Sequence, residues 1–170
     1  MYRTEQGKLT DIQLERVSII EVPTNELDVW QWRIYVPKKT RVDMGIVTKE
    51  IPPMGTPEPS ITGAFIESNP NGTLVTAAIR KSVGEGYDLI LNLGHGTLSN
   101  LREDRELKSW HDGGGESTVA GRGGTQSIEL GESIILVKKR LTEQVSATSS
   151  QAPSGLSRGY MFWIRPHRKP

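Results

Sequence analysis

The chain has 170 residues, with 21 basic and 20 acidic side chains and a formal net charge of +1. This length favours one domain with a core of its own, and the balanced charge excludes a globally basic nucleic-acid-binding protein. The lack of cysteine excludes disulfides, thiolate metal sites and a cysteine nucleophile, and no apolar run reaches the roughly 20 residues of a membrane-spanning helix.

The first 15 residues are polar, with weak helical spacing in Leu9, Ile12 and Leu14 and an interruption at Gly7. They lack the cationic start and the apolar stretch of a secretory signal. We expect residues 1–15 to be a polar segment, either helical or juxtamembrane. A membrane contact is expected only if an anchor has been trimmed from the protein.

From residue 16 the apolar period changes to two, which is the period of a β-strand. Residues 16–22 are β-branched, residues 28–36 alternate strictly, and residues 41–47 form a shorter candidate strand. The alternation predicts a half-buried antiparallel strand with an inward face of Trp30, Trp32, Ile34 and Val36. The proline-rich residues 51–59 predict an irregular surface connection.

The strongest local signal is Asn69-Pro70-Asn71-Gly72, which lies between two β-patterned runs at 61–68 and 73–81. Proline presets the first turn position and glycine supplies a positive φ, so this pattern predicts a β-hairpin. A further strand is expected at 87–93.

The second half of the chain mixes strands with glycine-rich connections. The segment 98–110 is the one credible helical turn, with an ordered loop as the alternative because the segment is short and heavily charged. Residues 113–124 contain six glycines. Strands are predicted at 126–130 and 133–141, and an aromatic strand follows at 160–165.

In total, about eight to ten short strands with at most one or two short helices indicate an all-β protein. We predict an antiparallel β-sandwich of jelly-roll or immunoglobulin-like type, with a barrel as the second choice. The sandwich core is expected at 16–141, a flexible linker or loop at 142–159, and a terminal aromatic strand with a basic tail at 160–170.

The candidate ligand-binding residues lie around two histidines. His95 follows the leucine-rich strand, and His111 stands between Trp110 and Asp112 just before the glycine run. Trp110 beside His111 and Asp112 is the best candidate for a ligand contact, and His95 joins them if the intervening segment folds back. Because this spacing matches no known ligand pattern, and surface histidines are common, we predict neither a metal site nor a cofactor.

No catalytic set is predicted. Ser99, His95 and Asp88 have the residue types of a hydrolytic triad, but the sequence lacks the strained turn that presents such a serine. The glycine-rich segment 113–124 leads into a strand pattern and lacks the lysine of a phosphate loop, so it reads as a flexible loop. Enzymatic activity is therefore not the favoured interpretation.

The last 40 residues carry seven basic side chains against Glu132 and Glu143. If the last two strands are neighbours, these cations form one patch that suits an anionic surface, although a solvated face is the simpler interpretation. Sequence-specific nucleic-acid binding is not expected. The basic residues are Lys138, Lys139, Arg140, Arg158, Arg165, Arg168 and Lys169.

The favoured function is a non-catalytic β-sandwich interaction or structural module, part of an envelope-associated or larger assembly, with a protein partner or self-association. An exposed terminal strand would suit such pairing. The alternative is a carbohydrate-binding module or glycan-active enzyme that uses Trp110, His111 and Asp112. An extracytoplasmic or assembly-associated location is slightly favoured, and the compartment is otherwise open.

Overall fold

A computed structural model describes residues 15–56, 61–83, 86–93, 97–99, 107–141 and 155–169. In this part of the chain no helix is long and apolar enough to cross a bilayer. Most of the predicted segment 1–15, most of the predicted linker 142–159 and His95 lie outside the described residues. In chain order the elements are β1 (Val17–Glu21), β2 (Val29–Val36), β3 (Thr40–Thr48), β4 (Ile61–Ile66), β5 (Asn69–Lys81), β6 (Tyr87–Asn92), β7 (Thr97–Ser99), α1 (Leu107–Asp112), β8 (Gly115–Val119), β9 (Gln126–Ile128), β10 (Ile134–Leu141) and β11 (Gly159–Arg168).

The strands form two antiparallel sheets. Sheet A has the order β7-β6-β5-β2-β1-β9, and sheet B has the order β4-β3-β11-β10-β8. Both sheets contribute to one apolar core, with Trp32 and Ile34 from sheet A and Leu136 and Phe162 from sheet B among its buried side chains. The predicted β-sandwich is confirmed, and neither sheet closes into a barrel within the described ranges.

Strand β2 has the inward face that its alternation predicts. Trp32, Ile34 and Val36 are buried and Trp30 is half-buried. The indole Nε1–H of Trp32 donates to the Ala120 carbonyl at 3.2 Å. This bond satisfies the buried indole N–H and fixes the ring between the two sheets.

The predicted terminal strand is present as β11, and it lies in the middle of sheet B between β3 and β10. Tyr160, Phe162 and Ile164 face the main core. Met161 and Trp163 point to the other face and form a second apolar cluster with Ile51. Because both faces of β11 are covered, its sequence is continuously apolar rather than alternating.

The segment 51–56, which we call the strap, covers this second cluster. Ile51 pairs with Ser157 by two backbone hydrogen bonds, of 2.7 and 3.0 Å. Lys138 Nζ donates to the Pro53 carbonyl at 3.1 Å, and Arg140 Nε donates to the Ile51 carbonyl at 3.3 Å. The proline-rich connection is therefore held against sheet B by basic side chains of β10.

Lys138 and Arg140 also form ion pairs with Glu116 of β8, at 2.9 and 3.3 Å. The hydrogen bond from Lys138 and the charges of both cations lower the pKa of the Glu116 carboxyl, against a smaller opposing effect of burial. A carboxyl with a lowered folded-state pKa stabilises the fold above its unfolded-state pKa, and this contribution is lost as the pH falls through the folded-state value.

We therefore expect Glu116→Gln to reduce the loss of stability that the wild type shows on acidification below about pH 4.5. The measurement is urea unfolding between neutral and acidic pH. Glu132→Gln, at an exposed position outside this ion pair, is the matched control and should behave like the wild type. Equal acid sensitivity of wild type and Glu116→Gln would contradict the proposed linkage.

The predicted hairpin at Asn69-Pro70-Asn71-Gly72 is wrong in its pairing. β4 pairs with β3 in sheet B, whereas β5 pairs with β2 and β6 in sheet A, so the chain crosses between the sheets at residues 67–68, just before this turn. The turn chemistry itself is present: Asn69 Oδ1 accepts from the Asn71 N–H, Asn69 Nδ2 donates to the Gly72 carbonyl, and Gly72 has a φ of 72°. The turn forms a bulge opposite Tyr35 within β5.

The helix predicted at 98–110 is also only partly right. Residues 97–99 form the edge strand β7, and the helix α1 begins at Leu107 and ends at Asp112. The residues between them are outside the described part of the chain. Strand pairing with β6 decides the conformation of residues 97–99 over their weak helical spacing.

Candidate functional site

The helix α1 packs against β11, β10 and β6 and carries His111 in its last turn. Its contacts place the imidazole beside the first residues of β2 and β11, where Asp28 and Tyr160 lie. Asp28 just before β2 and the start of β11 meet α1 here. We call this end of the sandwich the α1 end.

Both ring nitrogens of His111 are engaged. Nε2 contacts the Asp28 carboxylate, and Nδ1 lies 2.6 Å from the Tyr160 hydroxyl oxygen. The side chains of His111 and Asp28 are 22 % and 20 % exposed, and Tyr160 is fully buried. Asp28, His111 and Tyr160 thus form a chain of polar contacts, which we call the relay, from the solvent boundary into the core.

Aromatic packing fixes the plane of the imidazole. The Trp30 ring meets the His111 ring edge-on, with centroids 5.5 Å apart and an interplanar angle of 77°. The centroid of the Tyr160 ring lies 5.8 Å from that of Trp30 and 6.1 Å from that of His111, on which it stacks. The start of β2 therefore supplies the ring that orients the histidine, and the residue just before β2 supplies the carboxylate.

Burial raises the pKa of the Tyr160 hydroxyl well above its usual value, and the negative charges of Asp28 and Asp112 raise it further. The hydroxyl therefore remains protonated at neutral pH and can donate to Nδ1 of His111. The two ring nitrogens of His111 thus have different partners, the Tyr160 hydroxyl at Nδ1 and the Asp28 carboxylate at Nε2.

Tyr160→Phe should change the alkaline stability of the protein. A raised folded-state pKa contributes stability that is complete below the unfolded-state pKa of about 10 and is lost as the pH rises through the folded-state value. We expect a decline above about pH 10 in the wild type that is weaker in Tyr160→Phe, measured by denaturant unfolding from pH 8 to 11. Tyr35→Phe, on β2 outside the relay, should retain the wild-type decline, and identical profiles for all three proteins would contradict the assignment.

Asp112 adds a second carboxylate to the cluster. Asp28, His111 and Asp112 each offer one ligand atom, and these three atoms lie within 4.8 Å of one another. Asp112 is exposed, whereas Asp28 is half-buried at a φ of 61°. We call Asp28, His111, Asp112 and Tyr160 the His111 cluster.

The structure brings two of the four predicted ligand-binding residues together. His111 and Asp112 both belong to the His111 cluster. Trp110 lies in α1, but its side chain is outside the description, as is His95. The sequence pattern does not single out Asp28 or Tyr160. The local signal for Asp28 is a residue type that tolerates a positive φ in the turn before a strand.

The predicted basic patch is divided between the two ends of β11. β10 and β11 are neighbours, but Lys139 pairs with Tyr160 and Arg140 with Gly159 at one end of β11. Arg165 and Arg168 lie about 17 Å and about 26 Å further along the strand from Tyr160. Lys138 is buried against Glu116 and the strap.

At the far end, Arg165 Nε donates to Ser133 and its guanidinium lies 5.3 Å from the Trp163 ring centre. Lys169 pairs with Glu67 at 3.2 Å, and Arg168 lines an open pocket with Lys38 and Lys39. Arg158 is exposed and Lys139 is half-buried. Binding to an anionic surface stays a prediction, and it concerns two separate groups of cations, whose attraction salt would screen.

Comparison with models of protein families, with curated proteins and with solved structures finds no match to this chain.

Proposed function

We propose that the chain is a non-catalytic β-sandwich interaction module that contacts a protein surface through the α1 end, within an envelope-associated or larger assembly. The partner is, in the simplest form of the proposal, a second copy of the chain. The observation that carries it is the distribution of exposed large apolar side chains among the described residues.

The three most exposed of these are Val83, Leu27 and Met54, at 108 %, 88 % and 85 %. Leu27 immediately precedes Asp28. Val83 follows the end of β5, and the end of β5 lies beside the starts of β2 and β6. Met54 is in the strap, next to the Pro53 that binds Lys138 over the first residues of β11.

Exposed apolar side chains are common when scattered singly, but several at one end of a domain suit a surface that is covered by a partner. The loops at one end of a sandwich are also a usual position for recognition, because the sheets hold them rigidly. The half-buried polar side chains of Asp28 and His111 lie beside these residues and can fix the orientation of a partner.

The test is sedimentation velocity of the full chain over a wide concentration range. We expect a reversible rise in mass that the triple variant Leu27→Asp, Val83→Asp, Met54→Asp abolishes. The matched control replaces Phe65, Leu74 and Leu130, which are exposed elsewhere on the surface, by aspartate. The triple variant of the α1 end should keep the wild-type melting temperature, because substitutions at almost fully exposed positions change stability little. A wild type that stays monomeric throughout would overturn self-association, and equal loss in both variants would overturn the assignment to the α1 end.

Carbohydrate binding is the second candidate, and the position of Trp30 favours it. Trp32 and Trp163 are buried and cannot stack on a sugar, whereas Trp30 is half-buried beside His111. Sugar sites combine an accessible ring with polar side chains, and His111 and Asp112 supply these next to Trp30 and on the same helix as Trp110.

A glycan array probed with the full chain tests this candidate, with Trp110→Ala as the variant and Trp163→Phe as the control. Specific binding that only Trp110→Ala removes would support a sugar site. Absence of binding across the array would remove this candidate and leave the protein-contact proposal standing.

A further inference from the structure

We propose that Asp28, His111 and Asp112 form a binding site for one Zn²⁺ or a similar first-row divalent cation. The proposal does not depend on the protein contact suggested above. It revises the expectation of no metal site, because that expectation considered His111 with His95 and Asp112 and had no means of placing Asp28.

The donor set suits such an ion. One imidazole nitrogen and two carboxylate oxygens are ligands that Zn²⁺ accepts, and three protein ligands leave the fourth tetrahedral position open to water or a bound group. An oxygen-only site would instead suit Mg²⁺ or Ca²⁺, so the central imidazole selects a softer ion.

The geometry requires small movements only. The three ligand atoms lie within 4.8 Å of one another, whereas zinc bonds of this kind hold their ligand atoms about 3.4 Å apart. Asp28 and His111 are already in contact through Nε2, and the exposed Asp112 side chain completes the set by turning toward them.

Tyr160 supplies the outer support that metal-bound histidines require. An ion at Nε2 displaces the proton of that nitrogen, so the imidazole must carry its proton on Nδ1. The Tyr160 hydroxyl, 2.6 Å from Nδ1, can donate to it in the metal-free protein and accept from it in the metal-bound protein. The ring edge of Trp30 holds the imidazole in the same plane in both states.

The experiment is isothermal titration of Zn²⁺, and separately Mg²⁺, into the untagged full chain after chelator treatment. We expect one zinc ion per chain and a melting temperature several degrees higher with zinc, because an ion that binds only the folded state stabilises it. Asp112→Asn should lower the affinity at least about tenfold, and Tyr160→Phe, a positioning variant, about tenfold with the stoichiometry retained.

The chain provides its own control in His167, whose Nδ1 lies 3.3 Å from Asp43 Oδ2 beside Arg41. This pair has no third ligand within the described residues, so His167→Gln should bind zinc like the wild type. The proposal is overturned if zinc does not bind, if Asp112→Asn binds it as the wild type does, or if Mg²⁺ binds as tightly as Zn²⁺.

Discussion

Gly45→Ala should destabilise the protein by about 3 kcal/mol, near the upper end of the usual cost of overpacking a core. Gly45 lies on β3 directly opposite Trp163 of β11, and a Cβ atom at this position would overlap the indole ring. The ring is buried between the strap and sheet B, so it cannot move aside without opening the cluster that it shares with Ile51. Chemical denaturation at neutral pH measures the change.

Two controls separate this clash from the general effect of losing a glycine. Gly114→Ala meets no atom within 4 Å and should be neutral. In a Trp163→Leu background the smaller side chain leaves room for the methyl group, so Gly45→Ala should cost much less there than in the wild type. A full-sized effect in both backgrounds would mean that the ring is not what excludes the methyl group.

Trp32→Ala should cost about 3–5 kcal/mol, which is the usual range for removing a large aromatic side chain from a core. Trp32 has no exposed surface, packs between the two sheets and donates a hydrogen bond to the Ala120 carbonyl. Denaturant unfolding again provides the measurement.

Trp32→Phe separates the contribution of the hydrogen bond from that of the packing. It retains most of the apolar volume but leaves the Ala120 carbonyl without this donor, so it should cost about 1–2 kcal/mol. Leu74→Ala, at an exposed position of the neighbouring strand β5, should change stability by less than about 0.5 kcal/mol. A cost below about 1 kcal/mol for Trp32→Ala would contradict the central place of this residue in the core.

The fold class was predictable because the period-two pattern in β2 survives in the folded protein, with Trp32, Ile34 and Val36 inside. The terminal strand was predictable from its aromatic content, but its central place in sheet B was not, since alternation alone does not distinguish a central strand from an edge. The one hint of that position in the sequence is that the residues on both faces of β11 are apolar, as in a strand covered on both sides.

Which strands pair with each other was harder to predict from the sequence. The turn at residues 69–72 has the local chemistry that the sequence predicts, yet it is a bulge within β5, and β4 and β5 pair with other strands in different sheets. Lys138 is a similar case: a lysine at a strand end predicts a solvated cation, but the strap and Glu116 cover it.

Half of the His111 cluster was predictable. His111 and Asp112 are adjacent in the sequence and stood out as a polar pair before a glycine run. Asp28 and Tyr160 are 83 and 49 residues away from His111, and only the packing of α1 across the start of β2 and β11 brings them together. Such long-range meetings depend on the strand order, which the sequence pattern does not contain.

The central claim is that the sandwich assembles the His111 cluster into a site that binds a divalent cation. The most direct measurement is nitrogen-15 NMR of the imidazole rings in the full chain, titrated with Zn²⁺. The chain has only three histidines, so single variants at His95, His111 and His167 assign every signal. The account predicts that zinc moves the Nε2 resonance of His111 and shifts the proton to Nδ1, while His167 is unchanged. A titration that leaves His111 unchanged, or that moves His167 equally, would contradict it.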